Sequence, residues 1–411
     1  VTAPTPTASD TPHPRSILRE RRFIRLWCGT TASGLATWAL PFILGLAVLD
    51  RTLTAAGLGV VLATRTAGFL VAVPISGVLA DRYSRRAVVL WAGLAGALAS
   101  PVIALGLGRS VLLMSLAAAV VGAGQGACRP AFQALTAEVV DADRRQPANA
   151  AITLAVRVTT LAAPTATALL AVVLNTWTLL VGTGLLWLLA ALLPPQGLRA
   201  PAPTADRAPP LKEFGEGVRE ARRHPWFLAG LAALAAVIFT GYSATGVALP
   251  LISRDRYGTE AVLAGALTAY TVGALIGAVL MARWKPRAQG WAALVGLALY
   301  GFAPLSLLLP VHPAVVFAAY ALAGLGIELF NVPWFTATQR EVEPRLLARV
   351  SSLDFLISYG LAPVGLAFLA PAIDAFGWQP VLAACALVCF LAPAAAALVP
   401  SSRGFSRQER K

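Results

Sequence analysis

Apolar residues arrive along this chain in blocks of roughly 20, separated by short polar or Pro- and Gly-bearing breaks. Wound as helix at ~1.5 Å per residue, a block of that length crosses a hydrocarbon core of ~30 Å. These are not the short alternating runs of a buried sheet. The pattern predicts spans at about 23–49, 53–79, 87–107, 111–135, 148–170, 175–193, 226–251, 259–282, 290–309, 314–337, 349–370 and 379–399. The expected fold is an all-α integral membrane protein of about twelve transmembrane helices.

Two polar segments recur. Residues 78–86, Val-Leu-Ala-Asp-Arg-Tyr-Ser-Arg-Arg, align with 279–287, Val-Leu-Met-Ala-Arg-Trp-Lys-Pro-Arg. Pro130 to Glu138-Val likewise aligns with Pro333 to Glu341-Val, at nearly the same offset. A duplication follows, with 23–193 as one six-helix half and 226–399 as the other. Six spans is an even number, so both halves enter the membrane in the same orientation, as parallel repeats. Residues 1–22 read as a disordered tail and 400–411 as a second tail. The linker 194–225 is Pro-rich, then amphipathic, with Leu211, Phe214 and Val218 on one face. It fits a helix on the cytoplasmic leaflet and a solvated linker equally well.

Composition agrees with the pattern and charge orients it. The chain of 411 residues is 57% hydrophobic and only 13% charged, with mean hydropathy +0.71, where soluble domains carry about a quarter charged residues. Its net charge of +14 is topological. One side of the membrane collects Arg15 to Arg25, Arg82, Arg85, Arg86, Arg144, Arg145, the linker cations, Arg283, Lys285, Arg287, Arg340, Arg345, Arg349 and the tail; the other receives only Arg51, Arg109, Arg254 and Arg256. The positive-inside rule puts both termini and the linker in the cytoplasm of a cytoplasmic (inner) membrane, and no nucleic-acid role remains. The first apolar run is too long, and begins too late, for a cleaved signal peptide. Cys28, Cys128, Cys385 and Cys389 are scattered and read as packing residues; His13, His224 and His312 form no metal constellation.

The loop Gly77-Val-Leu-Ala-Asp81-Arg82-Tyr-Ser84-Arg85-Arg86 resembles the signature between helices 2 and 3 of the major facilitator superfamily. That resemblance implies the major facilitator fold and a conformational latch, in which Asp81 faces the start of helix 11 and Arg85 pairs with an acid ending helix 4, here Glu138. A carboxylate is favoured at a helix N-terminus by its free amide groups and dipole. Ser84 replaces the usual Gly, and in the second half Ala282 stands where the Asp would be. Pro130-Ala, Glu138-Val-Val, Ala148-Asn149-Ala150, Gln339 to Pro344 and Arg349 to Asp354 resemble the branch of bacterial enterobactin and macrolide exporters. Two departures weaken proton antiport relative to membership: the branch's Arg early in helix 4 is absent near Ala118 and Ala119, and its Gly-Pro pattern in helix 5 survives only as Ala163-Pro164.

Charges within spans are the candidate chemistry. Arg65 falls about 12 residues into the second span and Arg157 about nine into the fifth. Facing lipid, each would cost about 2.5–3.5 kcal/mol, so both should face the bundle interior or a wet cavity. Glu328 and Asp354 are the intramembrane acids. Glu328 fits both a proton-coupling acid and a fixed buried ion pair; Asp354, nearer the surface, fits gating or capping better than proton carriage. Arg157 fits a structural counter-ion or an anchor for an acidic substrate group, and Arg129 fits a snorkelling side chain. Trp38, Phe42, Phe239, Tyr242, Tyr270, Trp334 and Phe335 are candidates to line a cavity for a bulky amphipathic molecule.

No Walker sequence is present. The expected function is secondary active export of a lipophilic or amphipathic small molecule (drug, secondary metabolite or siderophore), by a monomer in the bilayer. The proton gradient supplies the energy and no cofactor is expected. A proton-coupled nutrient importer and a non-transporting membrane receptor or sensor are the alternatives.

Overall fold

The computed structural model describes residues 17–197 and 210–406, and it is all helical over them. The first half contains α1 (Arg21–Leu49), α2 (Ala55–Arg82), α3 (Arg85–Gly106), α4 (Val111–Val139), α5 (Arg145–Leu170) and α6 (Thr176–Leu192). After α7 (Pro210–Arg222), the second half opens with a span made of α8 (Pro225–Val237) and α9 (Ser243–Asp255), joined through a π turn at Ile238–Tyr242. Next come α10 (Ala261–Arg283), then α11 (Gln289–Ala298) and α12 (Phe302–Leu308), joined through a 3₁₀ turn at Leu299–Gly301. The chain closes with α13 (Pro313–Glu341), α14 (Leu347–Phe376) and α15 (Trp378–Ala397). Eleven of these spans are long and apolar enough to cross a membrane. α6, at 17 residues, sits at the short limit for crossing.

Side-chain caps set several helix starts. Thr54, Ser84, Ser110 and Asn175 each accept a hydrogen bond from the backbone N–H three residues on, at 2.9–3.2 Å, an arrangement worth about 1 kcal/mol each. Ser84 thereby explains its departure from the family loop. Its φ is −156°, ordinary extended backbone, so the turn asks for a capping hydroxyl and not for a glycine.

The repeat is visible in packing. α2 and α4 approach so closely that a Cβ on Gly122 would strike the Arg65 carbonyl; in the second half, a Cβ on Gly324 would strike the Tyr270 carbonyl between α10 and α13. Close backbone approach of this kind is how membrane helices associate without a hydrophobic driving force.

Parts of both segments read as tails are described, and they are ordered. A 3₁₀ turn, Ile17–Arg19, leads directly into α1 and buries Ile17; residues 1–16 lie outside the described set. At the other end Phe405 is fully buried, with its ring 5.3 Å from Trp226 and 5.6 Å from Trp334. Residues 198–209, the Pro-rich part of the linker, also lie outside the described residues. The amphipathic part is helix α7, which packs on α2, α8 and α14 rather than standing free. Its Glu213 and Glu220 are buried, because arginines from the bundle and His224 reach them.

Candidate functional site

A cavity of about 340 Å³ lies between the halves. Single helix faces build it. Thr30, Ser33, Gly34, Thr37 and Trp38 recur every three to four residues along α1; so do Asn149, Thr153, Val156, Arg157 and Thr160 along α5, and Asp354, Phe355, Ser358, Tyr359 and Ala362 along α14. α4 adds Arg129, Phe132, Gln133 and Thr136. The two walls differ. The first half presents hydroxyls, amides and two arginines beside the rings of Trp38 and Phe132, whereas the second is dominated by rings, Tyr242, Tyr270, Tyr300, Phe335, Phe355 and Tyr359, beside Asn331, Asp354 and Ser358.

Of the aromatic candidates, Trp38, Tyr242, Tyr270 and Phe335 line the cavity, and Phe42, Phe239 and Trp334 do not. Trp334 is fully buried, stacked 4.8 Å from Phe227 and 5.1 Å from Phe330 inside the second half. It neighbours Phe335, but one residue is about 100° of helix. Ile327, Asn331 and Phe335 therefore face the cavity while Phe330 and Trp334 face the core. Phe239 packs on Phe368 at 6.3 Å, and Phe42 is half-buried on α1. Tyr300, Phe132, Phe355 and Tyr359 are lining residues that sequence reasoning did not single out.

Arg157 Nε donates to Glu328 Oε1 at 2.5 Å, an ion pair from α5 to α13 with Glu328 fully buried. The Arg157 guanidinium also lies 5.9 Å from the Tyr270 ring centroid. Arg129 snorkels to neither surface. It faces the cavity, donating to the Tyr359 hydroxyl at 2.5 Å with its guanidinium 4.5 Å from that ring centroid. Asp354 is buried, accepting from Trp334 Nε1 at 3.2 Å and from the Ser358 hydroxyl at 3.3 Å. Among the described residues, neither Arg129 nor Asp354 has a partner of opposite charge. Arg65 lies apart, donating to the Thr37 carbonyl at 3.0 Å and to Gln125 Oε1 at 2.7 Å, so it ties α2 to α1 and α4 within one half.

Below the cavity, at the arginine-rich end, the halves are sewn together. Asn149 and Gln339 exchange side-chain amide hydrogen bonds at 3.0 and 3.3 Å. Gln146 Nε2 donates to the Met281 and Trp284 carbonyls, each at 2.8 Å. Arg85 Nη1 meets Glu138 Oε1 at 2.6 Å while its Nη2 reaches across to the Pro344 carbonyl. Gly77 lets α2 lie on α14, because a Cβ there would stand 2.8 Å from the Ala348 carbonyl and 2.6 Å from the Ser352 hydroxyl. Arg82 forks onto Glu213 at 2.6–3.0 Å, and Glu213 in turn accepts from Arg349 at 2.9 Å. The Glu213 hydrogen bonds hold the Arg82 guanidinium above its ordinary range. Arg86, by contrast, turns away from the interface and donates to the Leu192 carbonyl at 3.3 Å. The Asp81 side chain lies outside the described residues. Among those residues, no hydrogen bond joins the halves beyond the Arg157–Glu328 pair, toward the other end of the bundle.

A profile of the Major Facilitator Superfamily matches residues 26–366. Among solved structures, the human organic anion transporter MFSD10 (TETRAN) is similar, with TM-score 0.75 and 17% identity over 92% of this chain and 99% of that one. A bacterial homologue of the iron transporter ferroportin, in an outward-facing state, matches with TM-score 0.73 and 15% identity over 92% and 98%. At these identities the likeness concerns the fold. No curated protein sequence matches the chain.

Proposed function

This chain belongs to the major facilitator superfamily, and from that premise we propose that it is a secondary active exporter of an amphipathic small molecule, driven by proton antiport. The observation that carries the reading is the Arg157–Glu328 pair. It spans the two halves at the edge of the cavity, where protonation of one carboxylate changes whether the halves are held together. A buried pair is strongly disfavoured once one partner loses its charge. Glu328 thus serves as coupling acid and inter-half contact at once, joining the two roles open to it in the sequence.

The arginine-rich end is assigned to the cytoplasm by charge asymmetry. With that end closed by Arg85, Asn149, Gln339 and Glu213, the state is outward-facing. Protonation of Glu328 from the outer side releases Arg157, the cytoplasmic contacts open, and the proton leaves inward as substrate enters. The resemblance to the enterobactin and macrolide exporter branch supports the outward direction. Arg129, facing the cavity with no carboxylate partner among the described residues, favours a substrate bearing an acidic group, and the ring-lined second wall favours an apolar body. Asp354 takes a gating role at the cavity floor, where it fastens α14 to α13 through Trp334. The protein works as a monomer. A transport screen across antibiotics, siderophores and dyes in a pump-deficient host tests the reading. Lower accumulation of an acidic amphiphile supports it, and unchanged levels of every class tested contradict it.

A further inference from the structure

A second site stands on the outer flank of the first half, where the start of α1 meets α3 and the end of α6, and none of its residues lines the central cavity. At the arginine-rich end a groove of about 540 Å³ is lined by Arg22, Arg25 and Arg86 with Leu90, Pro194, Pro195 and Gln196. Each guanidinium is anchored by one main-chain carbonyl at the end of α6: Arg22 to Gln196 at 2.8 Å, Arg25 to Leu193 at 3.0 Å and Arg86 to Leu192 at 3.3 Å. These anchors fix the direction of the side chains and leave their charge uncompensated. Among the described residues no acid lines the groove. Glu20, the nearest acid in sequence to Arg22, is taken by Arg144 at 3.0 Å. Arg86 Nη1 is buried without a hydrogen-bond partner among the described residues.

The same seam continues toward the middle of the bundle as an apolar groove of about 480 Å³ between α3 and α6. Trp91, Leu94 and Leu98 form one side of it and Val181, Leu185 and Leu188 the other. Arg86 and Leu90 of the first groove and Leu94, Leu98 and Pro101 of the second follow one another at spacing four or three, so the two grooves share one face of α3. Trp91, Leu98 and Leu185 are 69%, 74% and 60% exposed, on a surface that faces hydrocarbon. From Arg86 to Pro101 the groove extends about 22 Å along α3, close to the length of one acyl chain.

We infer that this seam binds one anionic phospholipid, with its phosphate held by Arg22, Arg25 and Arg86 and one acyl chain lying between α3 and α6. A cluster of arginines at the membrane surface attracts anionic headgroups, and guanidinium donors match phosphate oxygens in geometry. The apolar groove selects a lipid over a free anion. The site also accounts for Arg86, which stands in the helix 2–3 loop motif and yet takes no part in the contact between halves. Lipid here braces α1, α3 and α6 against one another without touching substrate.

Native mass spectrometry of the full chain in a neutral detergent tests this, using phosphatidylglycerol and phosphatidylcholine of identical acyl chains. Phosphatidylglycerol should be retained about tenfold more tightly. Arg25→Gln/Arg86→Gln should remove most of that preference. Leu185→Trp, at an exposed position, should lower retention of phosphatidylglycerol by blocking the acyl groove; this arm stands even if the double arginine variant fails to fold. Equal retention of the two lipids, complete displacement of phosphatidylglycerol by millimolar inorganic phosphate, or unchanged retention in Leu185→Trp would overturn the inference.

Discussion

Arg157 on α5 and Glu328 on α13 meet at 2.5 Å, and theirs is the last hydrogen bond between the halves, going from the arginine-rich end, among the described residues. Glu328 is fully buried while the Arg157 side chain keeps 22% exposure. One partner therefore reaches the cavity and the other is shielded. Every other inter-half hydrogen bond of the described residues lies at that depth or nearer the arginines, so the pair marks the limit of the closed region.

The first prediction concerns stability. Arg157→Ala leaves the Glu328 carboxylate buried and alone, and should destabilise the protein by about 3–5 kcal/mol. Arg157→Met/Glu328→Leu removes both charges and should cost clearly less. Thermal unfolding in detergent compares them; an equal or greater loss for the double variant would contradict a buried pair at this position.

The second concerns the α2–α14 crossing. Gly77→Leu places a side chain where the Ala348 carbonyl and Ser352 already stand. The arginine-rich end should be propped open, with faster maleimide labelling of an Asn149→Cys reporter from that side and reduced transport. Labelling no faster than in the Gly77 parent would show that this crossing does not hold the end closed.

The third concerns α7. Glu213→Gln weakens the hold on Arg82 and Arg349 together, and should cost up to about 3 kcal/mol while also speeding labelling at Asn149→Cys. A stability loss without faster labelling would make α7 a brace for the fold alone and remove it from the closure.

The fourth concerns the cavity wall. Arg129→Gln should raise KM for a transported organic acid about tenfold and leave that of its methyl ester unchanged. Equal effects on acid and ester would mean that Arg129 shapes the wall through Tyr359 rather than binding the acidic group.

The sequence discloses the spans well because length and apolar content are what a bilayer selects. Even α6, at 17 residues, and the two spans broken by π and 3₁₀ turns remain single apolar blocks. The Arg85–Glu138 contact is what the family resemblance of the loop implies, and the structure has that pair between the start of α3 and the end of α4. The aromatic residues are not readable in this way. Trp334 and Phe335 are equally apolar neighbours, and only the rotation of α13 sends one to the core and the other to the cavity. For Arg129 a usable signal exists: Arg129, Gln133 and Thr136 form a polar stripe at spacing four and three on α4, which a snorkelling side chain does not need. The docking of α7 leaves no such trace, because a glutamate awaiting two arginines from distant helices looks the same in sequence as a solvated one.

The central claim is that Glu328 couples transport to the proton gradient. Everted vesicles carrying the protein or Glu328→Gln, supplied with a compound identified by the screen, measure it directly when the interior is acidified. Uphill accumulation by the protein is expected, abolished by nigericin, with none by Glu328→Gln, which should retain only downhill exchange. Accumulation by Glu328→Gln that still follows the pH gradient, or flux by the unaltered protein that ignores it, would contradict the claim.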